Sequence, residues 1–132
     1  MRFLLDTHVL LWSLFEPSRI HLRPRQAIEN PENEIYVSAL SFWEISLKYQ
    51  IGKLELKKCK PDQMPALVEK MGMEILPMDA NLLASSYQLP LELHKDPFDR
   101  MLAWQSIQGS LTLITKDSSL QGYHSAGLKT FW

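Results

Sequence analysis

Short apolar runs alternate along this chain with longer stretches in which apolar positions recur every three or four residues. Arg2–Asp6 (RFLLD), Glu34–Ser38 (EIYVS), Met73–Met78 (MEILPM), Leu111–Thr115 (LTLIT) and Leu128–Phe131 read as five strands. Helices are predicted from Asp6 to about Phe15, over Arg23–Asn30, from the EIYVS strand to about Ile51, and over Pro61–Met71, Asp79–Gln88 and Pro97–Gln108. Asp117 starts a further short helix. Pro17-Ser18, Asn30-Pro31, Gly52, Gly72 and Gly109 end helices, and Asp79 and Asp96 are natural N-caps, the latter followed by Pro97 at the first helical position. In the third helix Trp43, Leu47 and Ile51 recur at i, i+4 and i+8 on one face. Pro77 suits a strand end better than a central ladder position. Strand–helix alternation of this kind is the signature of βαβ units, so the fold class is α/β with a parallel sheet.

Composition narrows the function. The chain has 132 residues, enough for one domain (1–132) with a real core; 45% are hydrophobic and 22% charged, as in globular proteins. A net charge of −1 excludes a general polycation and confines any nucleic-acid contact to a local patch. A single cysteine, Cys59, excludes an internal disulfide and a Cys-rich zinc module, and fits a reducing cytosol. Asp6 and His8 interrupt the N-terminal apolar run, no small-residue cleavage site follows, and no stretch reaches a membrane span; a soluble, cytoplasmic protein is expected. Five glycines form no phosphate loop, there is no G-x-S-x-G elbow, and His8, His21, His94 and His124 lack ligand spacing. His8 and His94 stand where they can border a cleft, although surface or helix-facing roles are commoner.

The chemistry lies in four acids, Asp6, Glu44, Asp99 and Asp117, each at or just beyond a junction between strand and helix. The carboxyl ends of parallel strands share one edge, where ligands bind in such sheets. Each acid also has a capping explanation. Asp6, Asp96 and Asp117 sit at N-cap positions, Asp99 lies at N3 behind Asp96, and Glu44 lies at N3 if Ser41 is the cap. Capping does not require several carboxylates to converge, and convergence without a cation is unfavourable. A hard divalent ion, Mg²⁺ or Mn²⁺, prefers such ligands, and phosphodiester hydrolysis is the chemistry it suits. Thr7 and Thr115, beside the acids, either orient water or complete caps.

The segments LLDTHVLLW, VSALSFWEISLKYQIGKLEL, LPLELHKDPFDRMLAWQ and LTLITKD resemble the PIN domain, specifically the compact VapC-type toxins of toxin–antitoxin systems, over essentially the whole chain. The resemblance implies a three-layer α/β/α fold around a parallel, about five-stranded sheet. It implies a metal-dependent endoribonuclease site on Asp6, Glu44, Asp99 and Asp117, with Asp96 a further contributor to the acidic cleft. It also implies a homodimer and inhibition by a small antitoxin encoded alongside. A structure-specific DNA nuclease using the same acids is one alternative. Another is a non-enzymatic Mg²⁺-binding receiver-like switch, which expects paired acids after the first strand where this chain has Thr7 and His8; a degenerate binding module is a third.

Lys48, Lys53, Lys57, Lys58 and Lys60 offer a basic stretch for RNA phosphates, with Arg19, Arg23 and Arg25 as a second set; each lysine can equally be a solvated helix end. Arg100 is placed to pair with a carboxylate or a phosphate. Trp12, Phe15 and Trp104 are core candidates, of which an exposed subset would form a dimer seam or an antitoxin groove.

Overall fold

The computed structural model describes residues 1–91 and 96–132, so His94 lies outside the described residues. Five parallel strands form one sheet in the order β3-β2-β1-β4-β5: β1 Arg2–Leu5, β2 Glu34–Ser38, β3 Glu74–Leu76, β4 Thr112–Ile114 and β5 Lys129–Phe131. The helices are α1 Thr7–Phe15, α2 Leu22–Glu29, α3 Ala39–Gln50, α4 Met64–Lys70, α5 Ala80–Ser85 and α6 Pro97–Gln108, with a 3₁₀ segment at Ser118–Ala126. Pro77 directly follows the edge strand β3, where its missing N–H costs no central ladder bond.

The two-residue period of β1 divides the interior. Phe3 and Leu5 pack with Val37, Ile114, Val9, Ile45 and Val68 on one face; Leu4 packs with Tyr36, Leu113, Leu102, Trp104 and Tyr123 on the other. Apolar side chains thus cover both faces of the sheet, and the expected three layers result.

Most helix ends lie within a residue or two of the predicted ones, with two informative differences. Ser38, the last residue of β2, caps α3 by accepting the Leu40 N–H at 3.1 Å. Ser41 is therefore inside the helix and Glu44 one turn deeper than N3. The Trp43–Leu47–Ile51 stripe is not the buried face of α3 either: Trp43 is 62% and Ile51 54% exposed, whereas Ser41, Glu44 and Ile45 are buried. At the other end of α3, Gly52 adopts φ +78°, the left-handed conformation that terminates the helix. Gly109 needs no such conformation; the positive φ after α6 falls on Ser110. Among the described residues no helix is long and apolar enough to cross a membrane.

Candidate active site at the sheet edge

Strand register sets the site. Leu5 lies beside Val37 and Ile114, so the next residues along, Asp6, Ser38 and Thr115, form one row at the carboxyl edge. Asp6 is only 7% exposed. Its Oδ1 accepts the Val9 N–H at 2.9 Å, capping α1, and its Oδ2 accepts the Thr115 hydroxyl at 2.5 Å. Thr115 in turn accepts the Asp117 N–H at 3.0 Å, tying the fourth acid's backbone to the first acid's carboxylate.

Glu44 enters from α3 and is 3% exposed. Thr7 donates its hydroxyl to Glu44 Oε1 at 2.6 Å and stands 3.0 Å from the Ser41 hydroxyl. Glu44 Oε2 is ion-paired with Lys48, one turn further along α3. The Glu44–Lys48 spacing of four residues carries that pairing in the sequence; Lys48 thus belongs to the acids rather than to a free basic stretch.

The electrostatics record which acids the fold brings together. Burial lifts the Asp6 carboxyl above its ordinary value; the Thr115 and Val9 hydrogen bonds and His8 oppose the rise, and the nearby Glu44 charge adds to it. Burial works against the Lys48 charge, but the Glu44 hydrogen bond and the charges of Glu44, Asp96 and Asp99 outweigh it, and its pKa is raised. Asp6 and Glu44 are therefore neighbours, and Glu44, Asp96 and Asp99 share one ammonium. Asp96 caps α6 by accepting the Phe98 and Asp99 N–H groups at 2.9 and 3.3 Å. Asp117 caps the following 3₁₀ segment through Ser119 and, with Thr115, Gln121 and Thr130, lines a cavity of about 320 Å³. Among the described residues no three acidic, histidine or cysteine side chains close on one point tightly enough to grip an ion.

Two groups surround this edge. Arg100, expected at a carboxylate or phosphate, instead donates to the Leu89 and Pro90 carbonyls and to the Tyr123 hydroxyl, clamping the chain before α6. Beside α1 a cleft of about 380 Å³ has His8, Trp12 and Phe15 on one wall and Leu56, Lys57 and Lys58 on the other. It adjoins a groove of about 510 Å³ reaching Cys59 and Leu67, because Phe15 and Lys58 line both. Arg19 packs 4.8 Å from the Trp12 ring and Arg23 4.8 Å from Phe131. Trp104, by contrast, is core, its indole N–H donating to Ser85.

A family model described as PIN domain matches residues 3–123. The chain belongs to the PIN-domain family. It is 28% identical over 129 residues to the Ribonuclease VapC22 of Mycobacterium tuberculosis, covering 98% of this chain and 97% of that protein. Two solved structures share the PIN fold at low identity. A chain of VapBC2 from Rickettsia felis, crystallised bound to a DNA fragment from the promoter, superposes with TM-score 0.70 at 18% identity, covering 99% of this chain and 98% of that one. A chain of FitAcB from Neisseria gonorrhoeae gives TM-score 0.63 at 22% identity, with 98% and 96% covered. The four acid-bearing segments LLDTH, SFWEI, DPFDR and LITKD all lie within the matched residues.

Proposed function

We propose that this chain, as one PIN-like unit over residues 1–132, is a Mg²⁺- or Mn²⁺-dependent endoribonuclease and the toxin of a type II toxin–antitoxin pair acting in the cytoplasm. The observation that carries the reading is the buried Asp6 carboxylate held beside buried Glu44 at the sheet edge, within a domain related over nearly its whole length to a ribonuclease.

The donor set suits a hard cation. Glu44 already pairs with a positive charge, the Lys48 ammonium, which Asp96 and Asp99 also favour, and Asp6 is a buried carboxylate whose charge burial opposes. Asp6, Glu44 and Asp99 would hold the ion, with Asp117 in support and Asp96 adding negative field. When bound, the ion supplies positive charge against the phosphate and Lewis acidity toward water. The chain's own residues supply orientation. Thr115 and the Val9 N–H each fix one Asp6 oxygen, Thr7 fixes one Glu44 oxygen, and Lys48 neutralises the other. Locked rotamers of this kind keep the carboxylates from swinging as charge builds on the phosphate.

The antitoxin partner suits the cleft between α1 and the Leu54–Cys59 connection, whose apolar floor, rimmed by Lys57 and Lys58 and by Glu16 and Glu55, matches an amphipathic segment. Exposed Leu83, Tyr87 and Leu91 support a homodimer. The deciding experiment is cleavage of RNA by the purified chain with Mg²⁺ or Mn²⁺, beside Asp6→Asn and Asp99→Asn. Wild type cuts RNA and spares matched DNA, and both variants lose at least about a hundredfold in rate. Variants that cut like wild type overturn the site, and cleavage of DNA in preference to RNA overturns the substrate.

A further inference from the structure

Trp43 is 62% exposed although it directly precedes a buried acid of the site, whereas Trp104 is 5% exposed. A tryptophan left in water forgoes the large burial gain its ring offers. Among the described residues its ring neighbour is Phe98, which directly precedes Asp99: the centroids are 5.3 Å apart and the planes meet at 69°. The Lys48 ammonium, paired with Glu44, also lies 6.0 Å from the Phe98 ring. Two aromatic rings and one cation thus stand together on the outer rim of the acids, each joined to an acid by sequence adjacency or by an ion pair.

Resting on the ribonuclease reading above, we propose that Trp43 and Phe98 form a stacking platform for one unpaired nucleobase of the RNA, adjacent to the phosphodiester that is cut. Successive residues on a helix are rotated by about 100°, so α3 turns Glu44 inward while Trp43 stays on the rim. A nucleotide whose phosphate lies among the acids therefore carries its base, or its neighbour's, to the rings. A paired base has both faces covered within the duplex, and only a splayed base presents a free face. The platform accordingly selects single-stranded loops or ends. It is sequence-tolerant, because every base has a π-face. The T-shaped contact with Phe98 holds Trp43 in place, and the 62% of its surface left in water is what a base would meet.

The test compares wild type, Trp43→Ala and Trp43→Phe. Binding is measured by titration in the Asp6→Asn background, so that nothing is cut, with a short single-stranded oligoribonucleotide of mixed sequence and with an abasic ribose-phosphate chain of the same length. The platform predicts that Trp43→Ala weakens RNA binding about five- to 150-fold, leaves the abasic chain unchanged, and is largely rescued by Trp43→Phe. In the cleavage-competent protein the same loss falls mainly on KM. Equal affinities of wild type and Trp43→Ala for the RNA overturn the platform, as does a parallel loss on the abasic chain. So does conversion of a two-chain species to one chain by Trp43→Ala, which would assign the ring to a subunit contact. Failure of wild type to cut any RNA overturns the ribonuclease reading instead, a result the binding comparison does not share.

Discussion

Asp6 does two jobs with one carboxylate. Its oxygens accept from the Val9 N–H and the Thr115 hydroxyl, so capping α1 and presenting charge at the sheet edge are the same arrangement. A carboxylate has about four acceptor positions, so these two bonds leave others unused. Capping therefore orients the acid rather than competing with its chemistry. The cost is burial of a charge, which lifts its pKa, with Glu44 adding to the rise. A carboxyl whose folded-state pKa exceeds its unfolded one stabilises the fold below the unfolded value and loses that contribution as pH rises through the folded value. Without divalent cation, Asp6→Asn should melt a few degrees above wild type at neutral pH, the gap opening upward from about pH 4. Mn²⁺ should raise the wild-type melting temperature and leave Asp6→Asn unmoved. Thermal melts in chelator and in Mn²⁺ read both effects; equal wild-type and variant melting in chelator would contradict the charge penalty.

At the scale of elements, α3 shows what could and could not be read from the residues. The strands and most helix ends were readable because buried parallel strands are short, continuous apolar runs and because Gly52, Gly72, Asp79 and Asp96-Pro97 have local conformational reasons to stand where they do. The inward face of α3 was not. Its Trp43–Leu47–Ile51 periodicity is real, but that face carries the rim ring and the helix end, while the helix turns Ser41, Glu44 and Ile45 inward. Periodicity reports that two faces differ; it does not say which one a functional acid will occupy. Ser38 capping α3 directly from β2 leaves no loop between them, and that shift of register carries Glu44 into the interior. The packing predicts unequal costs for similar side chains. Ile45→Ala should lose about 2–5 kcal/mol of unfolding free energy and Ile51→Ala about 0.5 kcal/mol or less, measured by urea titration. Similar losses at both positions would mean that the stripe is buried after all.

At the scale of the whole molecule, one segment gathers three exposed apolar side chains. Leu83 is 46%, Tyr87 82% and Leu91 92% exposed, all within the segment from α5 to the residues before α6. Isolated exposed apolar side chains are ordinary, but three within nine positions concentrate apolar surface on one segment, the kind of surface a subunit contact uses. A net charge of −1 offers little repulsion to keep copies apart. A two-fold contact uses the same patch on both chains and needs roughly 800 Å² from each, so the three side chains must serve as the anchors of a wider contact. Sedimentation should give a two-chain mass for wild type, and Tyr87→Asp combined with Leu91→Asp should reduce it to one chain. Both substitutions are at the surface, so the one-chain form should retain its fold and its melting transition. A wild type that sediments as one chain at micromolar concentration would refute the contact, and a double variant that stays at two chains would move the interface elsewhere. Tyr87 and Leu91 are neither acids of the site nor members of the Trp43–Phe98 pair, so loss of the dimer should leave the affinity of each chain for a short single-stranded RNA unchanged, which makes assembly and substrate binding separable in one pair of proteins.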